Sequence, residues 1–423
     1  MLGAVPSAAP QSSPVDLPAD LAALTAGFIR RELVVDAAVA QRDLSLTVLS
    51  HPDAAGRSAR LVAATESTLR RFTEWFGPFP LAHLTVIDAP WSSHLAGAAF
   101  RGVVITTSRW YEPATDRTLE RFLIGAVARQ YWMTDASEPA RQWLSEGLTL
   151  YSAVRGIHEE LGVRHFATIR LFGGFIPLMV REVAWSPGPT DPRPGLRHFA
   201  EVDQPAVAPW RQWSAAPGSE AQRVALTLHT LERYIGWPAT QQILAALQSR
   251  KRVTEIGPAD LAAITSEQRG RDTSWFFSEA LRFDARFDYG ITAFTSDAIA
   301  DRQQFHTHVT FRRHGDGVFA GTSEPPGAPF AKGRSLPVVV RFEDGTDVRE
   351  WWDGRDADFT RDYVARSRGA SASVDPEAML LLDQSRANNS LRRNPEISDA
   401  GVQLATRWVV WLQDLMLSWT GLI

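Results

Sequence analysis

The stretch WLSEGLTLY at positions 143–151 decides how this chain is interpreted. It is predicted to lie on a helix that presents one carboxylate, Glu146. The helix before it is predicted from Arg117 to about Trp132 and contains the run GAVARQYW at 125–132. Its apolar residues share one face, as is typical of an amphipathic helix: Leu119, Phe122, Leu123, Ala126 and Val127. The side chains of these two helices decide whether the sequence predicts a functional site.

Outward from these helices, short strands alternate with further helices. Period-two alternation predicts a strand at 44–48, and a helix is predicted from Arg57 to Phe76, where a Gly-Pro pair ends it. The remaining predicted elements are strands at 84–87 and 102–107, the second at a sheet edge, and helices over 161–182, 219–236, 238–249, 258–268 and 272–282. The predicted fold class is α+β, a small sheet plus a helical bundle, over 54–288.

The sequence pattern changes after Asp288. Alternating runs predict strands at 305–312, 336–342 and 347–351, and the pair Asp344-Gly345 predicts a hairpin with a type I′ turn. Several short strands with regular turn signals favour a small β-sandwich. We therefore predict a β-sandwich domain over 289–383.

The two ends of the chain differ from its middle. Residues 1–18 are rich in Ala, Pro and Ser and predict a flexible linker, and 19–53 are interpreted as the remnant of an N-terminal strand region. Residues 384–423 are predicted to form a polar loop and a tryptophan-rich helix. The apolar stripe of this helix allows two interpretations: the helix docks on a domain of the protein, or it lies at a membrane interface.

Composition excludes several classes of function. The net charge is −4, with no basic stripe interleaved with aromatic residues, so nucleic acid is not an expected partner. The chain has no cysteine, which excludes disulfides and thiolate metal sites. Neither a signal peptide nor a run of eighteen apolar residues is visible. Localisation stays open, with a peripheral membrane position as one alternative.

Short motifs in a fixed order give the chain a resemblance to a known family. They are FGPFP at 76–80 with LTVI at 84–87, GAAFR at 97–101, RQYW at 129–132, WLSEGLTLY at 143–151, LTLHTL at 226–231 and GRDTSWFF at 270–277. Together they resemble the membrane-alanyl-aminopeptidase family of zinc metallopeptidases, the gluzincins with a thermolysin-like catalytic domain. The resemblance covers about 45–295. It implies a thermolysin-like arrangement for the first domain, and the β-rich segment after it resembles the extra domain of some bacterial members.

The resemblance also implies where zinc and substrate would bind, and most of those positions have changed. In H-E-x-x-H, two histidines on one helical face hold zinc and the glutamate activates its bound water. The three positions align with Gly125, Ala126 and Arg129, and the later glutamate ligand aligns with Glu146. The tyrosine that stabilises the reaction intermediate aligns near Ala221. We call these five residues the relic site.

The substrate-binding strand of the family has changed as well. Its position is taken by Ala99, Phe100 and Arg101. The glutamate that holds the amino terminus of the substrate aligns near Phe100. Its asparagine aligns with Arg101. Neither zinc binding nor another cofactor is therefore predicted.

Other histidines offer weaker alternatives for a metal. His158 and His165 stand seven apart, which is too far for one zinc on a helix, and His306 and His308 point the same way on a strand without a third ligand nearby. His94 precedes the old substrate strand and is interpreted as a loop histidine. The sequence instead predicts that Arg129 pairs with Glu146 in place of the metal; the alternative is that both side chains point to solvent.

The sequence leaves three functional hypotheses. The first is a catalytically inactive pseudopeptidase that binds a peptide or protein segment in the old cleft, or serves as a scaffold, with the strand at 102–107 pairing an extended chain. The family's bacterial members are often membrane-associated, so the resemblance implies a membrane-linked role. The second is an active zinc aminopeptidase with misaligned or partner-supplied ligands. The third is a metal-free hydrolase, against which no G-x-S-x-G motif occurs.

Overall fold

The computed structural model describes residues 21, 24–52, 55–90, 93, 97–108, 117–161, 166–171, 176–181, 219–300, 303–319, 336–385 and 388–393. The predicted linker at 1–18, the terminal helix and its tryptophans, and His94 and His165 lie outside these residues. Within them, helices and small sheets confirm the α+β class. The predicted domain boundaries stay predictions.

The first part of the chain forms a five-stranded sheet. Its strands are β1 (Ile29–Val35), β2 (Leu44–Ser50), β3 (His83–Pro90), β4 (Ala99–Phe100) and β5 (Val103–Ser108). They lie in the order β1-β2-β3-β5-β4, with β2, β3 and β5 parallel and β1 and β4 antiparallel to their neighbours. Alternate side chains point to opposite faces, so Leu46 and Val48 join the main core while Leu49 belongs to a smaller apolar cluster. Both faces of the sheet are therefore covered.

Helices form the second layer. They are α1 (Ala37–Ala40), α2 (Ala55–Phe76), α3 (Thr118–Trp132), α4 (Pro139–Leu161), α5 (Ser219–Ile235), α6 (Trp237–Lys251), α7 (Pro258–Arg269) and α8 (Ser274–Ala280). The apolar face predicted for α3 is buried throughout. Helix α2 ends where predicted, because Gly77 adopts a φ of 87° that favours glycine. Burial of a large side chain such as Phe72 contributes about 1.5–3 kcal/mol.

Two antiparallel sheets follow α8. One has the order β11-β10-β13-β14 and the other β12-β9-β8. Their strands are β8 (Tyr289–Ala298), β9 (Phe305–Arg313), β10 (Leu336–Phe342), β11 (Asp347–Trp352), β12 (Asp358–Ala365), β13 (Gly369–Val374) and β14 (Ser390–Arg392). Aromatic rings join them, with Trp352 stacked on Phe359 at 5.9 Å between ring centroids. One hydrophobic cluster runs from the helices into these sheets.

Four sequence-based predictions about elements are wrong. The helix predicted at 161–182 is not found in the described residues: α4 ends at Leu161, and β6 (Phe166–Leu171) pairs antiparallel with β7 (Ile176–Arg181). Pro177 within this range opposes a helix, because its ring removes a backbone donor. Strand β5 is not the sheet edge, because β4 pairs with it.

The third error concerns the hairpin between β10 and β11. Type I′ needs positive φ at both central residues, but only Gly345 has it, with φ 86°. The Asp344 side chain instead accepts hydrogen bonds from the backbone and hydroxyl of Thr346. In addition, β14 lies in the segment predicted as a loop. No helix among the described residues is long and apolar enough to cross a membrane.

Candidate functional site

The relic site lies where α3 packs on α4. Ala126 is fully buried and Gly125 is buried beside it. Two hydrogen bonds join the helices next to Glu146: the Ser145 hydroxyl donates to the Trp132 carbonyl at 2.6 Å, and the Trp132 indole donates to the Ser152 hydroxyl at 2.8 Å. The C-terminal end of α3 is therefore held firmly against the helix that carries the glutamate.

Arg129 and Glu146 interact electrostatically across these two helices. Burial lowers the pKa of Arg129, and the charge of Glu146 opposes that shift. Burial raises the pKa of Glu146, partly offset by the charge of Arg129 and reinforced by Glu220. The charges of Arg129 and Glu146 thus influence each other across the two helices, and the direct ion pair stays a prediction. Both pKa shifts run toward the neutral form, so desolvation outweighs the attraction.

Helix α5 closes the other side of the relic site through a tight contact at Gly147. A Cβ added there would lie 2.3 Å from the Val224 Cβ and 3.0 Å from the Ala221 carbonyl oxygen. Only a residue without a side chain allows this approach. The glycine after Glu146 therefore brings α5, with Glu220 and Ala221, next to the glutamate. The structure thus places Ala221 against Gly147, the residue that follows Glu146.

The old substrate strand is tied to α3 by one buried amide. The Gln130 side chain accepts a hydrogen bond from the Gly102 backbone at 2.9 Å and donates one to the Phe100 carbonyl at 2.9 Å. Arg101 instead pairs with Asp135 after α3 at 2.6 Å, an exposed pair. Ala99 is buried, whereas Phe100 is 37% exposed. The one charged side chain of this segment is therefore paired with Asp135.

Two motif residues prove to be structural. The Tyr151 hydroxyl donates to the Glu232 carboxylate at 2.7 Å, and Arg155 pairs with the same carboxylate at 2.7 Å. His229 packs on the Tyr151 ring with centroids 4.4 Å apart. Burial raises the pKa of Glu232 and of Tyr151. This network joins α4 to α5 inside the core, so these residues support the relic site and do not line it.

The residues present do not fit a zinc ion at the relic site. Gly125 and Ala126 have no donor atom, and the Arg129 guanidinium is a permanent cation. Among the described residues, no group of three or more His, Asp or Glu side chains is placed to hold a metal. His306 and His308 both contact one Asp362 oxygen, at 3.0 and 2.9 Å.

Three residues around the site were missed by the sequence interpretation: Gln130, Gly147 and Glu220. The roles of Gln130 and Gly147 depend on contacts with distant segments. The spacing of His158 and His165 stays a sequence-based argument, because His165 lies outside the described residues.

Comparison with known proteins yields similarities of fold only. The chain matches no protein family and no curated protein by sequence. Among solved structures it is similar to Legionella pneumophila aminopeptidase A in complex with aspartic acid, at 14% identity and a TM-score of 0.49, over 82% of this chain and 37% of that one. It is also similar to the M1 zinc metallopeptidase from Deinococcus radiodurans, at 18% identity and a TM-score of 0.39, over 60% of this chain and 51% of that one. The chain thus spans about half the length of these proteins or less.

Proposed function

We propose that this protein is a catalytically inactive, aminopeptidase-like pseudopeptidase that binds a peptide or protein segment at the relic site. The observation that carries the proposal is that Arg129, a half-buried cation on α3, takes the position of a histidine ligand in the motif and acts electrostatically on Glu146 of α4. The thermolysin-like arrangement is part of this proposal and rests on the motif order.

The chemistry of the relic positions supports the loss of catalysis. A catalytic zinc needs three protein ligands and an open position for water. Glu146 alone could coordinate, and Arg129 would place a positive charge on the side of α3 where the ion must sit. Losing both neutral histidine ligands and adding a cation at one of their positions opposes metal binding. Ala126, which aligns with the glutamate that activates water, is buried without a polar atom.

Binding is supported by the sheet edge beside the relic site. Strand β4 occupies that edge, and Phe100 remains partly exposed on it. The sequence predicted that an extended segment would pair with the strand at 102–107. Because β4 lies outside that strand, the segment would pair with β4 instead. Gln130 holds the hairpin of β4 and β5 in place without using its outer edge. Membrane association through the terminal helix is a separate proposal, which the described residues do not address.

The test measures metal and turnover on one preparation. The full chain is purified, supplemented with zinc and dialysed, and then assayed for bound zinc and for hydrolysis of aminoacyl reporters. We expect neither bound zinc nor turnover. Glu146→Gln is the matched control, because any hydrolysis that depends on a metal at this site must fall in that variant. Stoichiometric zinc with turnover that Glu146→Gln abolishes would overturn the proposal in favour of an active metallopeptidase.

A further inference from the structure

Strand β1 forms one end of the five-stranded sheet. Among the described residues, β2 is the strand that pairs with it. Its seven residues pair with β2 in one unbroken register, so no bulge turns this edge away from an approaching strand. The backbone N–H and C=O groups on the outer side of β1 can therefore pair with a further extended strand.

The side chains of β1 do little to protect this edge. Val34 is 82% exposed and Ile29 is 48% exposed, so two large apolar side chains of the strand face solvent. Edge strands are commonly protected by proline, lysine or a bulge, and β1 has none of the three. A long, exposed and partly apolar edge strand is typical of a surface that pairs with another chain.

The charges of β1 complement a second copy of the same strand. Arg30 and Glu32 share one face of the sheet, because they are two positions apart, and both side chains are more than half exposed. In a two-fold dimer whose axis is normal to the sheet, each side chain keeps its face. Two antiparallel β1 strands can then place Arg30 opposite Glu32 of the second copy. Symmetry makes this opposite-charge pair occur twice, once on each side of the axis.

The same register brings apolar side chains together. It places Val34 opposite Phe28 of the second copy, and on the other face it places Ile29 opposite Leu33 of that copy. Arg31 lies at the axis opposite its own equivalent, but its side chain is exposed and can extend into solvent. Apolar pairs therefore flank the charged pairs at both ends of the strand.

We infer that β1 mediates a symmetric dimer, in which it pairs antiparallel with β1 of a second copy and joins the two five-stranded sheets into one. The two neighbouring registers are less favourable, because one places Arg30 opposite Arg30 and the other places Glu32 opposite Glu32. Both also lose the opposite-charge pairs. The inference goes beyond the proposed function, since it does not depend on what the relic site binds.

The mass of the full chain in solution tests for this dimer. Sedimentation equilibrium is measured over a range of protein concentrations at low ionic strength, where charge pairs are least screened. We expect a concentration-dependent equilibrium between monomer and dimer. Val34→Lys should raise the dissociation constant about tenfold or more, because it places a charge opposite Phe28 of the second copy. Val364→Lys is the matched control, since Val364 is 58% exposed on another edge strand, β12, and it should leave the constant unchanged.

Exchange of the two charges tests the register. Arg30→Glu and Glu32→Arg each convert both opposite-charge pairs into like-charge pairs, so each variant alone should be mainly monomeric. Mixing the two variants restores both pairs across the interface, and the mixture should form a heterodimer. The variant that carries both substitutions should dimerise as well. Loss of the contact between Arg30 and Glu32 within one strand cannot explain a heterodimer, because both single variants lack that contact.

Four results would overturn the inference. They are a monomer at every concentration, a dimer that persists in both single charge variants, single variants that stay monomeric when mixed, and a dimer that Val364→Lys weakens as much as Val34→Lys does. Circular dichroism checks that each variant is folded, which is expected because the substituted side chains are exposed. Hydrogen exchange at 29–35 should slow as protein concentration rises. Slow exchange there at every concentration would mean that another segment of the chain covers β1, and it too would refute the dimer.

Discussion

Replacing Gly147 with alanine should destabilise the protein, although alanine is the better helix former. A Cβ at this position would lie 2.3 Å from the Val224 Cβ, 2.5 Å from the Val224 Cγ1 and 3.0 Å from the Ala221 carbonyl oxygen. Carbon atoms in contact prefer about 3.5–4.0 Å. Helix α5 would therefore have to move away from α4 by roughly 1 Å or more. The side chains that α5 buries, Val224 among them, would lose contacts in that movement.

The expected loss follows from two opposing effects. Overpacking typically costs about 1–3 kcal/mol, and the upper end applies because the Ala221 oxygen belongs to the backbone and cannot rotate away. Replacing a glycine in a helix interior with alanine stabilises the folded state by about 0.5–1 kcal/mol, because glycine loses more backbone entropy on folding. The net loss in unfolding free energy for Gly147→Ala should be about 2 kcal/mol.

Urea unfolding followed by far-ultraviolet circular dichroism measures this loss, because the signal reports the helices. Gly156→Ala is the matched comparison on the same helix. Its Cβ would meet only side-chain atoms, at 2.8 Å for the Ile124 Cγ2 and 3.0 Å for the Phe72 Cε1. Side chains can adjust, so its loss should be smaller. The close approach of α5 at Gly147 is refuted if Gly147→Ala is as stable as the natural protein or loses less than Gly156→Ala.

Three further predictions concern groups around the relic site and in the second part of the chain. Gln130→Ala removes both amide hydrogen bonds to the β4–β5 hairpin, so hydrogen exchange at 97–102 should accelerate and unfolding free energy should fall by about 1–3 kcal/mol; unchanged exchange would contradict this role. Tyr151→Phe leaves the buried Glu232 without one donor and should cost about 1.5–3 kcal/mol in urea unfolding, whereas no loss would show that Arg155 alone satisfies the carboxylate. Burial raises the pKa of Asp383 to about 6, so this group contributes stability that is present below its unfolded pKa and lost as pH rises through about 6. Asp383→Asn should therefore flatten the fall in unfolding free energy between about pH 4 and about pH 7, a difference of at most about 3 kcal/mol, and an unchanged slope would refute the shift.

Local patterns predicted most elements because each pattern has a local cause. Helix α2 could be read from its apolar spacing and from the glycine that ends it, and both hold in the structure. The error at 161–182 came from following apolar residues and ignoring Pro177. The position of β5 in the sheet could not be read locally, because β4 has only two residues and pairs through contacts that spacing does not reveal.

The site was predictable only in part for a similar reason. The family resemblance placed Arg129 and Glu146 on facing helices, and in the structure the charge of each influences the pKa of the other. The distance between them depends on how α3, α4 and α5 pack, so the direct pair could not be tested from sequence. The contact of Gly147 with Ala221 could not be predicted from sequence either, because it joins residues more than seventy positions apart.

The contacts that hold α3 against its neighbours do not use the relic positions. Trp132 bonds to Ser152 and Ser145, and Gln130 bonds to the hairpin, each through groups beside the former ligand positions. Hydrogen bonds of this kind contribute about 1 kcal/mol each, so the fold can persist without a metal between the helices.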